Sequence, residues 1–331
     1  MHAVLIGTVT ADSTTHPKGS SSSVKKIAAF LLVAVILGFL LWNAPLLLQI
    51  FQRMFGLHKY PTYSHDELLI YALSLVNSDR SQNGRPNVTL SPVSSGQKHA
   101  NDMLEHHFFS HWDTNGYKPY MRYTLAGGRG SVEENIAWYY SSGSFDAKEV
   151  LKDLEWQMMY NDSDSHWGHM YNILNPSHNK VNVGIAVDSN NLYLVQDFEN
   201  DYIQWSTFNV STTNEVTMIG TLEGESLPMS QISIFYDSPP SSLTTQQLEQ
   251  PPYNDGYSTG DFVGMTLPPG YKSNNGVTIT ARTWTQTGQA LQILFNLSSA
   301  LNTHGKGVYT LYLQPSASTA DALTSYSIWY T

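Results

Sequence analysis

Cysteine is absent from the 331 residues. Disulfides and thiolate-bound zinc are excluded, so any exported part must be held by its own core. Charge is also scarce: Asp, Glu, Lys and Arg make up 13%, against roughly a quarter in an average domain. Ser, Thr, Asn, Gln and Tyr fill the gap and give a neutral, hydroxyl-rich surface. The net charge is −10, and no basic block follows residue 60. Nucleic acid is therefore not an expected partner.

One long apolar run is present. Residues 27–42 are uninterrupted, Asn43 and Pro45 break the pattern, and residues 46–51 resume it. A membrane span needs about 20 residues, so residues 27–50 read as one transmembrane helix with the Asn-Pro step near its outer end. A cleaved signal peptide would have a shorter apolar core and a small-x-small cleavage site; neither is found. Residues 1–26 read as a disordered cytoplasmic tail and 51–63 as a stalk. Lys18, Lys25 and Lys26 precede the run, while Arg53 and Lys59 follow it. That balance places the N-terminus inside and the bulk of the chain outside. Four Asn-x-Ser/Thr triplets, at Asn87, Asn161, Asn209 and Asn296, are compatible with an external, glycosylated surface.

Residues 64–201 carry helical patterns followed by a strand pair. Ser64 and Glu67 form a capping box before a helix expected to reach Arg80. A second helix is expected from Ser91-Pro92, a short third over 116–125, and a fourth over 144–160, with Ala147, Val150, Leu151, Leu154 and Met158 at helical spacing. Residues 181–187 alternate as a strand and 192–198 return. Helices followed by a hairpin give an α+β domain. From residue 202 the character changes, and Lys272, Arg282 and Lys306 are the only basic residues. Alternating segments at 216–222, 232–236, 262–267, 277–284, 291–297, 308–313 and 326–330 predict an all-β sandwich over 202–331. It has no catalytic cluster, and its aromatics, such as Trp205, Trp284 and Trp329, read as core or sheet-face residues.

Four blocks stand out in the α+β part: Gln97-Lys98-His99-Ala100 leading to Phe109-Ser110-His111; Glu133-Glu134-Asn135-Ile136-Ala137; Gly168-His169 followed by Asn172-Ile173-Leu174; and Val183-Gly184-Ile185-Ala186 followed by Val195-Gln196-Asp197-Phe198. In this order and spacing, residues 64–201 resemble the CAP superfamily, also called SCP domains, in its cysteine-free microbial branch. The resemblance implies an α-β-α sandwich with a cleft lined by two His and two acids. His111 and His169 match the two His, and Glu134 matches the first acid. The second acid of the family follows a Trp by about one helical turn, but Met159 stands in that place after Trp156. Glu155 lies on the wrong side of Trp156, and Asp162 substitutes only if the helix end bends inward. Met170 stands where microbial relatives often have Arg.

Two imidazoles and a carboxylate suit zinc or another divalent metal, which would activate water or polarise a carbonyl. They also suit a buried polar network that pins loops or, last, a metal-free acid–base pair in which Glu134 orients an imidazole. Ser110 reads as a capping hydroxyl rather than a nucleophile. His99, His106, His107, His166 and His178 have surface or core contexts, with His166 the alternative ligand near His169. The expected function is binding at the cell surface, to an envelope or surface component, by a membrane-anchored extracellular protein. The rivals are a metal-dependent hydrolase acting on envelope polymers and a sterol or lipid carrier.

Overall fold

The computed structural model describes residues 21–54, 60–224, 227–316 and 321–331. The chain divides into two compact units, residues 1–59 and 60–331.

In the first unit, α1 (Ser21–Trp42) and α2 (Ala44–Met54) replace the single helix expected over 27–50. Helix begins at Ser21, inside the expected tail, and α2 runs into the expected stalk; residues 1–20, and residues 55–59 of the stalk, lie outside the described residues. The apolar parts of the two helices are bent by 60°. Pro45 has no N–H to continue the helix ladder, and its ring crowds the preceding turn. Phe39 O accepts from both the backbone N–H and the Nδ2 of Asn43, at 3.0 and 2.8 Å. Among the described residues no single helix is long and apolar enough to cross a membrane; the bent pair passes that test only together.

The second unit opens with α3 (His65–Gln82), where both halves of the expected Ser64/Glu67 capping box form. β1 (Thr89–Leu90), α4 (Ser95–His106), α5 (Pro119–Leu125), β2 (Ser131–Tyr140), α6 (Ala147–Tyr160), α7 (Gly168–Leu174), β3 (Lys180–Val187) and β4 (Asn191–Asn200) follow. The second helix starts at Ser95, not at Ser91-Pro92, because Ser91 N donates to Val181 O and continues the β1 pairing. The sheet order is β1-β3-β4-β2, with β2 at an edge.

Strand alternation divides the side chains between two layers. Val181, Val183, Ile185, Leu192, Leu194 and Phe198 pack on α3, α6 and α7. Ala186, Tyr193 and Val195 pack on Ala100 and Met103 of α4. Helix α4 lies very close to β3: a Cβ on Gly184 would stand 2.2 Å from the Gly96 carbonyl carbon. The result is an α-β-α sandwich.

The remaining strands are β5 (Ile203–Val210), β6 (Glu215–Leu222), β7 (Met229–Asp237), β8 (Asp261–Leu267), β9 (Val277–Thr280), β10 (Thr283–Thr287), β11 (Ala290–Asn296), β12 (Gly307–Pro315) and β13 (Thr324–Tyr330), with short helices α8 (Thr245–Leu248) and α9 (Ser298–His304). They form sheets β10-β11-β6-β5 and β13-β12-β7-β8-β9. One core joins them, with Met218 and Ile293 from the first and Ile234 and Leu311 from the second. Residues 277–284, expected as one segment, are two strands in different sheets, and β5 lies outside the expected segments.

The two parts of this unit share cores. Leu243 and Leu248 pack with Met103 and Phe108, and Val308 packs with Tyr120 and Tyr123. Lys118 Nζ pairs with Asp237 at 2.8 Å, and Tyr120 OH donates to the same carboxylate at 2.7 Å.

Candidate functional site

His111 lies in the loop after α4, where the preceding Ser110 is pinned. The Ser110 hydroxyl donates to Tyr253 O at 2.6 Å and accepts from Trp112 N. That commitment fits a capping role and leaves no free nucleophile there. His111 Nδ1 lies 2.9 Å from Glu134 Oε1. The other Glu134 oxygen accepts from Arg122 Nη2 at 2.5 Å, and Arg122 Nη1 donates to His111 O at 2.7 Å. One guanidinium thus fixes both the carboxylate and the backbone of its imidazole partner. Burial, followed by the nearby Arg122 charge, lowers the His111 pKa to about 3, with Asp197 opposing. The ring is neutral at ordinary pH; Nδ1–H donates to Glu134 and the Nε2 lone pair is left free. Burial raises Glu134 while Arg122 pulls it back down. Asp197, opposite Glu134 across the β2–β4 pair, is pushed well above the carboxylate range by burial and by Glu134.

The second half of the site forms at the end of α6. The chain leaves the helix at Asn161, and Asp162 turns inward, with 5% exposure. Asp162 Oδ1 accepts from His169 Nδ1 at 2.6 Å, and Oδ2 accepts from the backbone N–H groups of His169 and Met170. His166 and Trp167 take left-handed conformations, φ 52° and 64°, to complete this reversal. Asn135 Nδ2 holds the His169 carbonyl at 3.1 Å, and Asn172 Nδ2 donates to Asn135 Oδ1. Asp162 is therefore the acid partner of His169. Glu155 points elsewhere: it is buried and accepts from Gln196 Nε2 at 2.6 Å.

His111 and His169 line one cleft of about 900 Å³. Residues 131–136 of β2 line it too, as do Asp164, His166 and, from the β-rich part, Asp255, Tyr257, Tyr312 and Asp321. Tyr257 is central: its hydroxyl accepts from Glu134 N at 3.0 Å, and its ring lies 5.0 Å from that of His111. The second part of the unit thus builds one wall of the cleft.

The structure does not complete the expected three-ligand set of His111, His169 and Glu134. Both Glu134 oxygens are taken, by His111 and Arg122, so Glu134 backs an imidazole instead of joining it. Among the described residues no group of three or more His, Asp and Glu is arranged to hold a metal. A catalytic zinc ordinarily takes three protein ligands; here His111 and His169 would supply two. His99 is buried and bonds Ser110 O through Nε2. His178 is buried and bonds Asn200. His106 and His107 are exposed; His166 is exposed at the cleft.

Arg122 and Tyr257 were not singled out from the sequence. Arg122 carried a signal, since it is an isolated charge inside the apolar stretch Tyr120-Met121-Arg122-Tyr123. Tyr257 carried none, because it reaches Glu134 from 123 positions away.

Residues 73–198 match the model of the cysteine-rich secretory protein family, CAP. The chain carries a CAP domain. Similar solved structures include an extracellular protein containing an SCP domain from Bacillus anthracis, at 22% identity over 43% of this chain and 45% of that one, TM-score 0.32. The CAP domain of enterococcal PrgA is 17% identical over 42% and 63%, TM-score 0.31. An outer surface protein from Borrelia burgdorferi is 12% identical over 43% and 98%, TM-score 0.33. The chain thus spans less than two thirds of the first two. No curated protein matches the sequence.

Proposed function

We propose that this CAP-domain protein is held at a membrane by residues 27–50, with its bulk outside the cell, and that its cleft binds a ligand of the cell surface or envelope. The observation that carries the binding reading is the repeated His–carboxylate arrangement. Glu134 and Asp162 each fix a ring through Nδ1, leaving two Nε2 atoms, without a hydrogen-bond partner among the described residues, in one cleft. For the membrane, support comes from the bent apolar pair and its exposed side chains, among them Leu31, Leu37, Phe39 and Trp42. The four sequon asparagines are all exposed, which suits glycosylation.

Binding is tested by sedimenting detergent-purified full chain with envelope material of its native host. His111→Gln with His169→Gln is expected to reduce the bound fraction at least tenfold; binding unchanged in the double variant refutes the cleft as the site. Topology is read in the cysteine-free background. A thiol placed at Asn274→Cys should react with an impermeant maleimide on intact cells, and one at Ser13→Cys should not. The opposite pattern overturns the orientation.

A second reading, a divalent cation at His111 and His169, is favoured by the carboxylate backing of both rings, a pattern common behind metal-bound imidazoles. Zinc content of the full chain tests it: stoichiometric zinc lost in both single His variants supports it, and no uptake from added zinc removes it, together with the metal-dependent hydrolase reading. The carrier reading ranks last, because the carboxylates of Glu133, Asp164, Asp255 and Asp321 share the cleft with its aromatic residues and would be desolvated by an apolar ligand.

A further inference from the structure

An aromatic line continues the cleft. Strand β2 carries Glu134, Ile136, Trp138 and Tyr140 on one face, since side chains alternate along a strand. Glu134 backs His111 in the cleft. Phe109 lines the cleft as well. Its ring lies 6.5 Å from that of Trp138, which lies 6.4 Å from that of Tyr140. From Glu134 to Tyr140 the strand runs about 20 Å at about 3.4 Å per residue. Phe109, Trp138 and Tyr140 are 38%, 45% and 59% exposed. Single exposed aromatics are ordinary, but three in ring contact form a patch, and such patches mark binding surfaces.

The middle ring is held in place. Trp138 stacks on the buried Tyr193, its partner across the β2–β4 pair, with centroids 5.9 Å and planes 16° apart. Its Nε1 donates to Asn191 Oδ1 at 3.2 Å. A ring fixed in this way offers a flat surface with little further ordering cost on binding.

The chemistry of the two ends selects the occupant. In the cleft the carboxylates of Glu133, Asp164, Asp255 and Asp321 accept hydrogen bonds, and so does the neutral His111 ring through Nε2. Among the described residues no Lys or Arg lines the cleft. An anionic ligand is repelled there, and a ligand without donors leaves the carboxylates unpaired. Beyond the cleft the line offers ring faces. The C–H face of a pyranose suits the negative face of an aromatic ring, while its hydroxyls donate to the acceptors of the cleft. A β-1,4-linked chain is an extended ribbon, which matches a line laid along one strand.

We propose that a neutral β-1,4-linked glycan lies along this line, its hydroxyls bonded to His111 and the carboxylates in the cleft and its pyranose faces stacked on Phe109, Trp138 and Tyr140. This rests on the reading of the cleft as the binding site and names the class of its ligand.

The probes are cellohexaose, chitohexaose and β-1,4-mannohexaose, followed by titration calorimetry with the full chain in a detergent without a sugar headgroup. Two companions are needed: maltohexaose, whose α-linkage coils the chain, and the β-1,4-mannuronate hexamer, which carries a carboxylate on each ring. At least one neutral β-1,4 hexamer is expected to bind at least tenfold tighter than either companion. Trp138→Ala should weaken it at least tenfold, and Trp138→Phe, which keeps a ring, by less. Trp156→Ala, which removes an exposed Trp of α6, should leave it unchanged. Unchanged binding in Trp138→Ala overturns the stacking. Equal binding of maltohexaose overturns the extended chain, and equal binding of the mannuronate hexamer overturns the charge selection. Sedimentation abolished by protease treatment of the envelope material, and not by periodate, makes the partner a protein and overturns the glycan. If no hexamer binds while sedimentation still depends on His111 and His169, the glycan inference falls and the cleft reading stands. If neither is seen, both fall.

Discussion

Glu155→Gln should remove a defined part of the pH dependence of stability. Glu155 is 3% exposed, accepts a hydrogen bond from Gln196 through Oε2, and finds no partner for Oε1 among the described residues. Burial raises its pKa from 4.5 to about 8, with a smaller contribution from the Asp79 charge and with Gln196 opposing. A carboxyl whose folded pKa is raised binds more protons folded than unfolded. Its contribution is fully present below pH 4.5 and is lost as pH rises through about 8. Within that window the loss is about 1.4 kcal/mol per pH unit, with a ceiling of roughly 5 kcal/mol. From pH 5 to pH 7 the native chain should therefore lose about 2–3 kcal/mol more than the Gln variant, by denaturant titration. The amide keeps the acceptor for Gln196 and carries a cost that does not vary with pH. Glu199, raised by burial to about 7, acts in the same direction, but in both proteins, so the difference isolates Glu155. Parallel pH profiles for the two proteins would refute the assignment of a protonated buried acid.

Arg122→Gln leaves Glu134 buried without its cation and should cost about 3–5 kcal/mol; adding Glu134→Gln should recover part of this in the same unfolding assay, and no recovery would argue against the pair. Gly184→Ala places a methyl against the Gly96 carbonyl and should cost about 1–3 kcal/mol or more, whereas Gly143→Ala, with nothing within 4 Å, should be near neutral; equal melting temperatures would contradict the close approach of α4 to β3. Ser64→Ala removes the cap of α3 and should cost about 1 kcal/mol, visible as a small fall in melting temperature; no change would mean that the exposed cap contributes nothing.

The sequence by itself determined the local features. Ser64 and Glu67 dictate a cap through contacts only three residues apart. The period-2 pattern of residues 181–187 dictates a strand, although packing buries both of its faces, and the spacing of Val150, Leu151, Leu154 and Met158 dictates the buried stripe of α6. The Asn-Pro step marked the break between α1 and α2, although not its 60° bend. His111, Glu134 and His169 were legible as candidates because short blocks surround them.

Tertiary structure decided how these candidates combine. Asp162 became the partner of His169 only because the chain reverses through two left-handed residues after α6. Glu134 moved behind His111 because Arg122, on a helix of another layer, took its second oxygen. Tyr257 and the acids Asp255 and Asp321 reached the cleft from a part of the chain that reads, in sequence, as a separate sandwich. Strand β5 was missed because its residues alternate weakly, and only pairing with β6 and the core beneath it define it. Spacing along the chain fixes which groups share a turn or a strand face. Which carboxylate meets which imidazole depends on contacts between distant segments, and packing alone sets those.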